Sequence, residues 1–112
     1  MNKTQFHNVI FRLFTLTRKY EQMTTLALAL KVSEEVGELA EVILKDNGYL
    51  KHKQPSKEDA WHEVADIINV LIGMLAKHYP NLSATELTEN LYNAIEKKGK
   101  KYEKILTGQP IM

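Results

Sequence analysis

The chain has no cysteine, only three prolines and five glycines, and no excess of either charge in its 112 residues. Without cysteine there is no disulfide framework and no thiolate ligand for a metal, and the composition suits a reducing compartment, so a cytoplasmic protein is expected. Fifteen basic against fourteen acidic residues leave a formal net charge of +1. No global field draws the chain to nucleic acid or an anionic membrane, so any affinity for anions must be local. Long uncharged runs are also missing, and none reaches the roughly 18–20 residues of a membrane span. The apolar stretch from Phe6 to Leu16 is broken by His7, Asn8 and Arg12 and does not read as a signal peptide. Strand-like alternation is absent as well. What remains, 44% apolar and 26% charged, is the make-up of one globular domain, expected over residues 1–106 with a loose tail over 107–112.

Helical spacing fills the chain. Phe6, Val9, Ile10, Leu13 and Phe14 predict a first helix over Thr4–Tyr20. A second is expected from Thr25 to Lys45, closed by Asn47-Gly48, residues that tolerate the left-handed conformation at a helix end. After a loop over Gly48–Pro55, Ser56 and Asp59 are spaced as a capping box for a third helix, which Tyr79-Pro80 stops. Ser83 and Glu86 form a better box for a fourth helix, with Leu82 placed to staple onto Leu87. Four amphipathic helices with short connections predict an all-α fold, a four-helix antiparallel bundle. The third helix is apolar on too many sides for one small core, so self-association is expected to complete the fold.

The acidic residues stand out once placed on these helices. At 100° per residue, Leu28, Val32, Val36, Leu39 and Ile43 form a stripe on the second helix. Glu35 falls about 60° and Glu38 about 120° from its centre, on one flank, with Glu34 further round towards solvent. On the third helix Trp61, Val64, Ile68, Leu71 and Leu75 make the main stripe, and Ile67, Val70, Ile72 and Met74 spread apolar surface further. Glu63 and Asp66 interrupt a helix that otherwise reads as buried. Two ionised carboxylates there require a partner. Lysines of the fourth helix in an ordinary salt-bridged bundle would serve. So would a divalent cation held by both acidic pairs, for which hard oxygen ligands suit Mg²⁺ or Mn²⁺.

The pattern Glu34-Glu35-x-x-Glu38, followed after 24 residues by Glu63-x-x-Asp66, resembles the MazG-like family of all-α nucleoside triphosphate pyrophosphohydrolases. The likeness rests on Ser33-Glu34-Glu35-Val36-Gly37-Glu38-Leu39 and Glu63-Val64-Ala65-Asp66-Ile67-Ile68, and extends from about Leu26 to Tyr102. It implies a helical bundle that forms a homodimer or homotetramer. Mg²⁺, with Mn²⁺ as a substitute, would be held by Glu35, Glu38, Glu63 and Asp66. The reaction implied is attack of water on the α-phosphorus of a nucleoside triphosphate, giving a monophosphate and pyrophosphate in house-cleaning of the nucleotide pool. Glu34 or Glu38 would orient the water as general base. The lysines of the Lys97–Lys104 stretch, Lys98 and Lys101 among them, would meet the phosphates. Asn69, three residues beyond Asp66 on the same general side, is placed to bond the sugar or a phosphate, or equally to make a helix–helix hydrogen bond. Tyr102 follows Lys101, but Glu103 stands where the family often has proline.

A platform for the base is expected among the aromatics. Phe11, Phe14, Trp61 and Tyr92 are candidates, of which Trp61, together with Tyr102, is taken as substrate-binding. The histidines supply no ligand set: Asp59-x-x-His62 is the one acid-x-x-His pair, whereas a di-iron carboxylate bundle uses Glu-x-x-His on two helices. No helix joins an exposed basic face to base-reading residues, which argues against DNA recognition. Two other readings are carried forward. One is phosphoribosyl-ATP pyrophosphohydrolase activity within the same superfamily. The other is a non-catalytic helical module for nucleotide binding or protein interaction.

Overall fold

A computed structural model describes residues 2–50 and 59–110. Each of its four helices is started by a side chain that accepts a hydrogen bond from a first-turn amide, as the unsatisfied N–H groups there require. Helix α1 (Lys3–Tyr20) begins at Asn2, which with Gln5 forms a capping box that extends the helix one residue beyond expectation. Helix α2 (Thr25–Asp46) is capped by Thr24 and ends at Asn47-Gly48, with Gly48 at φ 83°. Helix α3 (Ala60–His78) starts from Asp59, whose carboxylate accepts from the His62 amide at 3.0 Å. The box expected from Ser56 lies outside the described residues. Helix α4 (Ala84–Thr107) has the Ser83–Glu86 box and closes at Gly108, φ 71°. The described residues contain no strand, so the fold is all-α.

Helix α3 is the hub. It packs along α2, crosses α1, and meets α4 beside their connecting turn, while α4 packs chiefly on α1. The backbones of α2 and α4 do not approach one another. Consequently the radius of gyration is 16.7 Å, against about 13 Å for a compact chain of this length. The main core is a three-helix junction of Ile10 and Phe14 from α1, Ile72 and Ala76 from α3, and Leu87 from α4. Leu82 joins it, as the staple predicted. Arg18 binds this corner by donating to the carbonyls of Leu82, Ala76 (3.0 Å) and Tyr79 (3.1 Å), which satisfies acceptors left open at the end of α3. The Lys77 ammonium donates to the Met23 carbonyl and ties the end of α3 to the start of α2.

At Gly73, α3 lies against both α1 and α2. A methyl group there would meet Thr17 Cγ2 at 3.4 Å and Leu28 Cδ1 at 3.5 Å, which is ordinary van der Waals contact. Gly73→Ala is therefore expected to raise stability, by up to about 1 kcal/mol from helix propensity. Gly73→Leu overpacks both crossings and is expected to cost about 1–3 kcal/mol. Urea unfolding midpoints measure both.

The helical faces depart from the sequence expectation. On α2 the buried residues are Leu28, Glu35 and Val42, a seven-residue spacing; Val36 and Ile43 from the expected stripe are exposed. The seam lies about 60° from the stripe's centre, so α3 covers one edge of a wide apolar arc. On α3 the error is larger. Trp61, Val64, Ile68 and Leu71 are exposed, and the buried side carries Glu63, Val70, Ile72, Gly73 and Ala76. Apolar residues almost encircle this helix, so hydrophobicity alone does not select a side. Gly73 and Ala76 do, because small side chains let α1 and α2 come close.

Candidate metal centre

The register of α2 against α3 follows from two contacts near one end of the pair. Met23 meets Lys77 and Leu28 meets Gly73, so the helices are antiparallel and facing residues have numbers summing to about 100. Continued along the seam, this places Asp66 opposite Glu35 and Glu63 opposite Glu38. Glu35 occupies the same seven-residue row as Leu28 and Val42, and Glu63 the same row as Val70. Two acids thus stand where a helix pair ordinarily places apolar side chains.

Three of the four acids converge. Glu35, Glu63 and Asp66 each present a carboxylate oxygen within 4.8 Å of the others. Glu35 retains 9% of its surface and Glu63 6%, and Asp66 is half-buried. Lys31, one turn before Glu35, places its ammonium 3.8 Å from Glu35 Oε1. Glu35 Oε2 is buried with no hydrogen-bond partner among the described residues, a state that costs free energy unless something compensates it. Burial pushes the Glu35 carboxyl above the ordinary carboxylate range; Glu38 and Asp66 add to the rise, and Lys31 opposes it.

The sign of that shift fixes a pH response. A carboxyl raised in the folded chain contributes stability fully below its ordinary value of 4.5 and loses it as pH rises through the folded value. Asp59 and Glu96 act in the opposite sense. The His62 amide holds Asp59 below its usual range and a Lys100 hydrogen bond does the same for Glu96, so their contributions fade as pH falls. The contribution of Glu35 is isolated by difference: in chelator, Glu35→Gln is expected to raise Tm at pH 7 and to leave it nearly unchanged below pH about 4. Added Mg²⁺ should raise Tm of the parent chain at pH 7 and not of the variant. Thermal scans at both pH values, with and without the ion, test this.

The donor set fits a hard divalent cation. Its donors are all carboxylate oxygens, and their 4.8 Å span is close to twice the metal–oxygen distance of about 2.1–2.5 Å for such ions. One oxygen of the set, Glu35 Oε2, is buried without a hydrogen-bond partner among the described residues. Glu35, Glu63 and Asp66 would hold the ion.

The other sequence candidates lie apart from this triad. Glu38 and Glu34 are exposed and stand at its edge, where their charges still act on Glu35. Asn69 is exposed. Trp61 is 84% exposed and not a core residue. Phe14 is core, Phe11 is largely exposed, and Tyr92 packs edge-on to His7 with ring centroids 4.7 Å apart. Lys97, Lys98, Lys100 and Lys101 are exposed, Lys104 is half-buried, and Tyr102 is exposed; all lie on the far half of α4, which does not approach α2. Lys31 escaped notice in the sequence, although its position four residues before Glu35 on one helix was the available signal. Comparisons of the chain with protein-family models, with curated proteins and with solved structures yield no match.

Proposed function

We propose that this protein is a divalent-cation-dependent nucleoside triphosphate pyrophosphohydrolase of the MazG-like type, acting as a four-helix assembly completed by self-association. The observation that supports it most is the carboxylate triad Glu35, Glu63 and Asp66 set into a buried helix seam. A triphosphate bears up to about four negative charges, and bare carboxylates would repel it. Bound Mg²⁺ would reverse the local sign and polarise the phosphoryl oxygens.

The chain's own residues have three tasks in this reading. Glu35, Glu63 and Asp66 fix the charge at the seam, with Lys31 beside Glu35 offsetting part of it. Glu38, exposed at the triad's edge, is free to accept the proton of the attacking water. The water oxygen bonds to the α-phosphorus, the bond from that phosphorus to the α–β bridging oxygen breaks, and pyrophosphate leaves as the proton passes to the carboxylate. Positioning and charge compensation carry most of the rate. The test is incubation with a panel of nucleoside triphosphates, and with phosphoribosyl-ATP, in Mg²⁺, followed by ion-exchange separation. Monophosphate and pyrophosphate are expected; orthophosphate and diphosphate would exclude this reaction, and turnover confined to phosphoribosyl-ATP would reassign the substrate.

A further inference from the structure

The triad carries a counter-ion of its own. Lys31 stands one turn before Glu35 on α2 and holds its ammonium 3.8 Å from Glu35 Oε1, with 42% of the lysine side chain exposed. A buried anion is thus joined to a cation that water still reaches. The contact serves one oxygen only, because Glu35 Oε2 is buried without a hydrogen-bond partner among the described residues. At 3.8 Å the contact is also longer than a charge-assisted hydrogen bond, about 2.7–2.9 Å. Lys31 is therefore held by charge more than by geometry, on a flexible stem that lets the ammonium move. One ammonium cannot neutralise three converging carboxylates. A divalent cation among them would take over the charge of Glu35 and release Lys31 to another anion.

The position of Lys31 along α2 selects that anion. Lys31 and Glu38 are seven residues apart, so they share one flank of the helix, about 10 Å from each other along its axis. Glu35 lies between them. In displacement at phosphorus the entering and departing oxygens lie roughly in line, on opposite sides of the reacting atom. Glu38 serves the entering water in the proposed reaction. The departing side then falls towards the other end of the flank, where Lys31 stands.

We propose that Lys31 is a catalytic residue with two positions: it neutralises Glu35 while the seam holds no divalent cation, and it gives its ammonium to the departing pyrophosphate once one is bound. The role rests on the proposed reaction. As the bond from the α-phosphorus to the bridging oxygen breaks, its electron pair goes to pyrophosphate. Lys31 offsets the added charge through a charge-assisted hydrogen bond and gives up no proton. The exchange also couples the two ligands, since occupation of the carboxylates frees the side chain that receives phosphate.

Binding measurements on the whole chain test the exchange without turnover. The probes are Mg²⁺ alone and inorganic pyrophosphate at saturating Mg²⁺, titrated calorimetrically into the parent, Lys31→Gln and Lys31→Arg. Lys31→Gln is expected to bind Mg²⁺ about three- to tenfold more tightly, because no ammonium competes for Glu35. It should bind pyrophosphate about tenfold or more weakly, because a charge-assisted contact is lost. Lys31→Arg should restore most of the pyrophosphate affinity. Unchanged affinity of Lys31→Gln for either probe overturns the proposal, and leaves the reaction standing if the parent hydrolyses triphosphates. Both shifts in a chain that turns over no triphosphate would instead sink the reaction, and the catalytic role of Lys31 with it.

Discussion

Asp66→Asn and Glu35→Gln are each expected to lower the proposed nucleotide hydrolysis by on the order of 10²–10³-fold at a Mg²⁺ concentration that saturates the parent chain, with far-UV circular dichroism unchanged. The magnitude follows from removing one charged ligand from a site whose cation, in the proposed reaction, would contribute several kcal/mol to charge stabilisation in the transition state. Both changes preserve side-chain shape, so the α2–α3 seam stays packed. Raising Mg²⁺ further should recover part of the loss, because the variants would bind the ion more weakly. Glu38→Gln is expected to differ. It lies outside the triad, so kcat should fall with little change in the Mg²⁺ concentration for half-activity, as removal of a general base requires. Normal turnover in all three variants would remove the seam from the chemistry and favour a binding or interaction module.

The largest effect on stability is expected at Phe14→Ala. Phe14 has no exposed surface and is wedged among Ile10, Ile72, Ala76 and Leu87, so its ring joins three helices. Deleting a buried phenyl group costs about 3–5 kcal/mol, a large share of the roughly 5–15 kcal/mol that holds a domain together. Equilibrium urea unfolding should show the midpoint falling sharply with little change of slope. Because α2 contributes no residue to this cluster, turnover per folded molecule should hold even as the folded fraction declines.

Local rules read the helices well. Asn47-Gly48, Tyr79-Pro80 and the Ser83–Glu86 box end or start helices where backbone chemistry demands, and these signals act within a few residues. The triad was legible for a related reason: acids on a helix otherwise rich in apolar residues announce an electrostatic conflict wherever that helix packs. Which side of each helix faces its own chain was not legible. On α3 the apolar positions nearly surround the axis, and the choice turned on Gly73 and Ala76, whose effect is to allow close approach rather than to contribute hydrophobicity. The roles of Glu35 and Glu38 follow from the same rotation. By helical spacing both lie on one flank of the apolar stripe; the seam turns Glu35 inward and leaves Glu38 exposed. The remoteness of the α4 lysines was equally hidden, since it depends on where α1 begins relative to α4, a long-range alignment that no local pattern encodes.

Among the described helices α2 packs on α3 alone, and this has a kinetic consequence. Helix α3 cannot leave without breaking three interfaces, whereas α2 can part from the rest by losing one. The amide hydrogens of α2 are therefore exposed by the loss of one interface, the most extensive of the four. Glu35 rides on α2, and Glu63 and Asp66 do not. An ion that draws the three together would act as a clasp, slowing amide exchange along α2 far more than in the junction around Phe14.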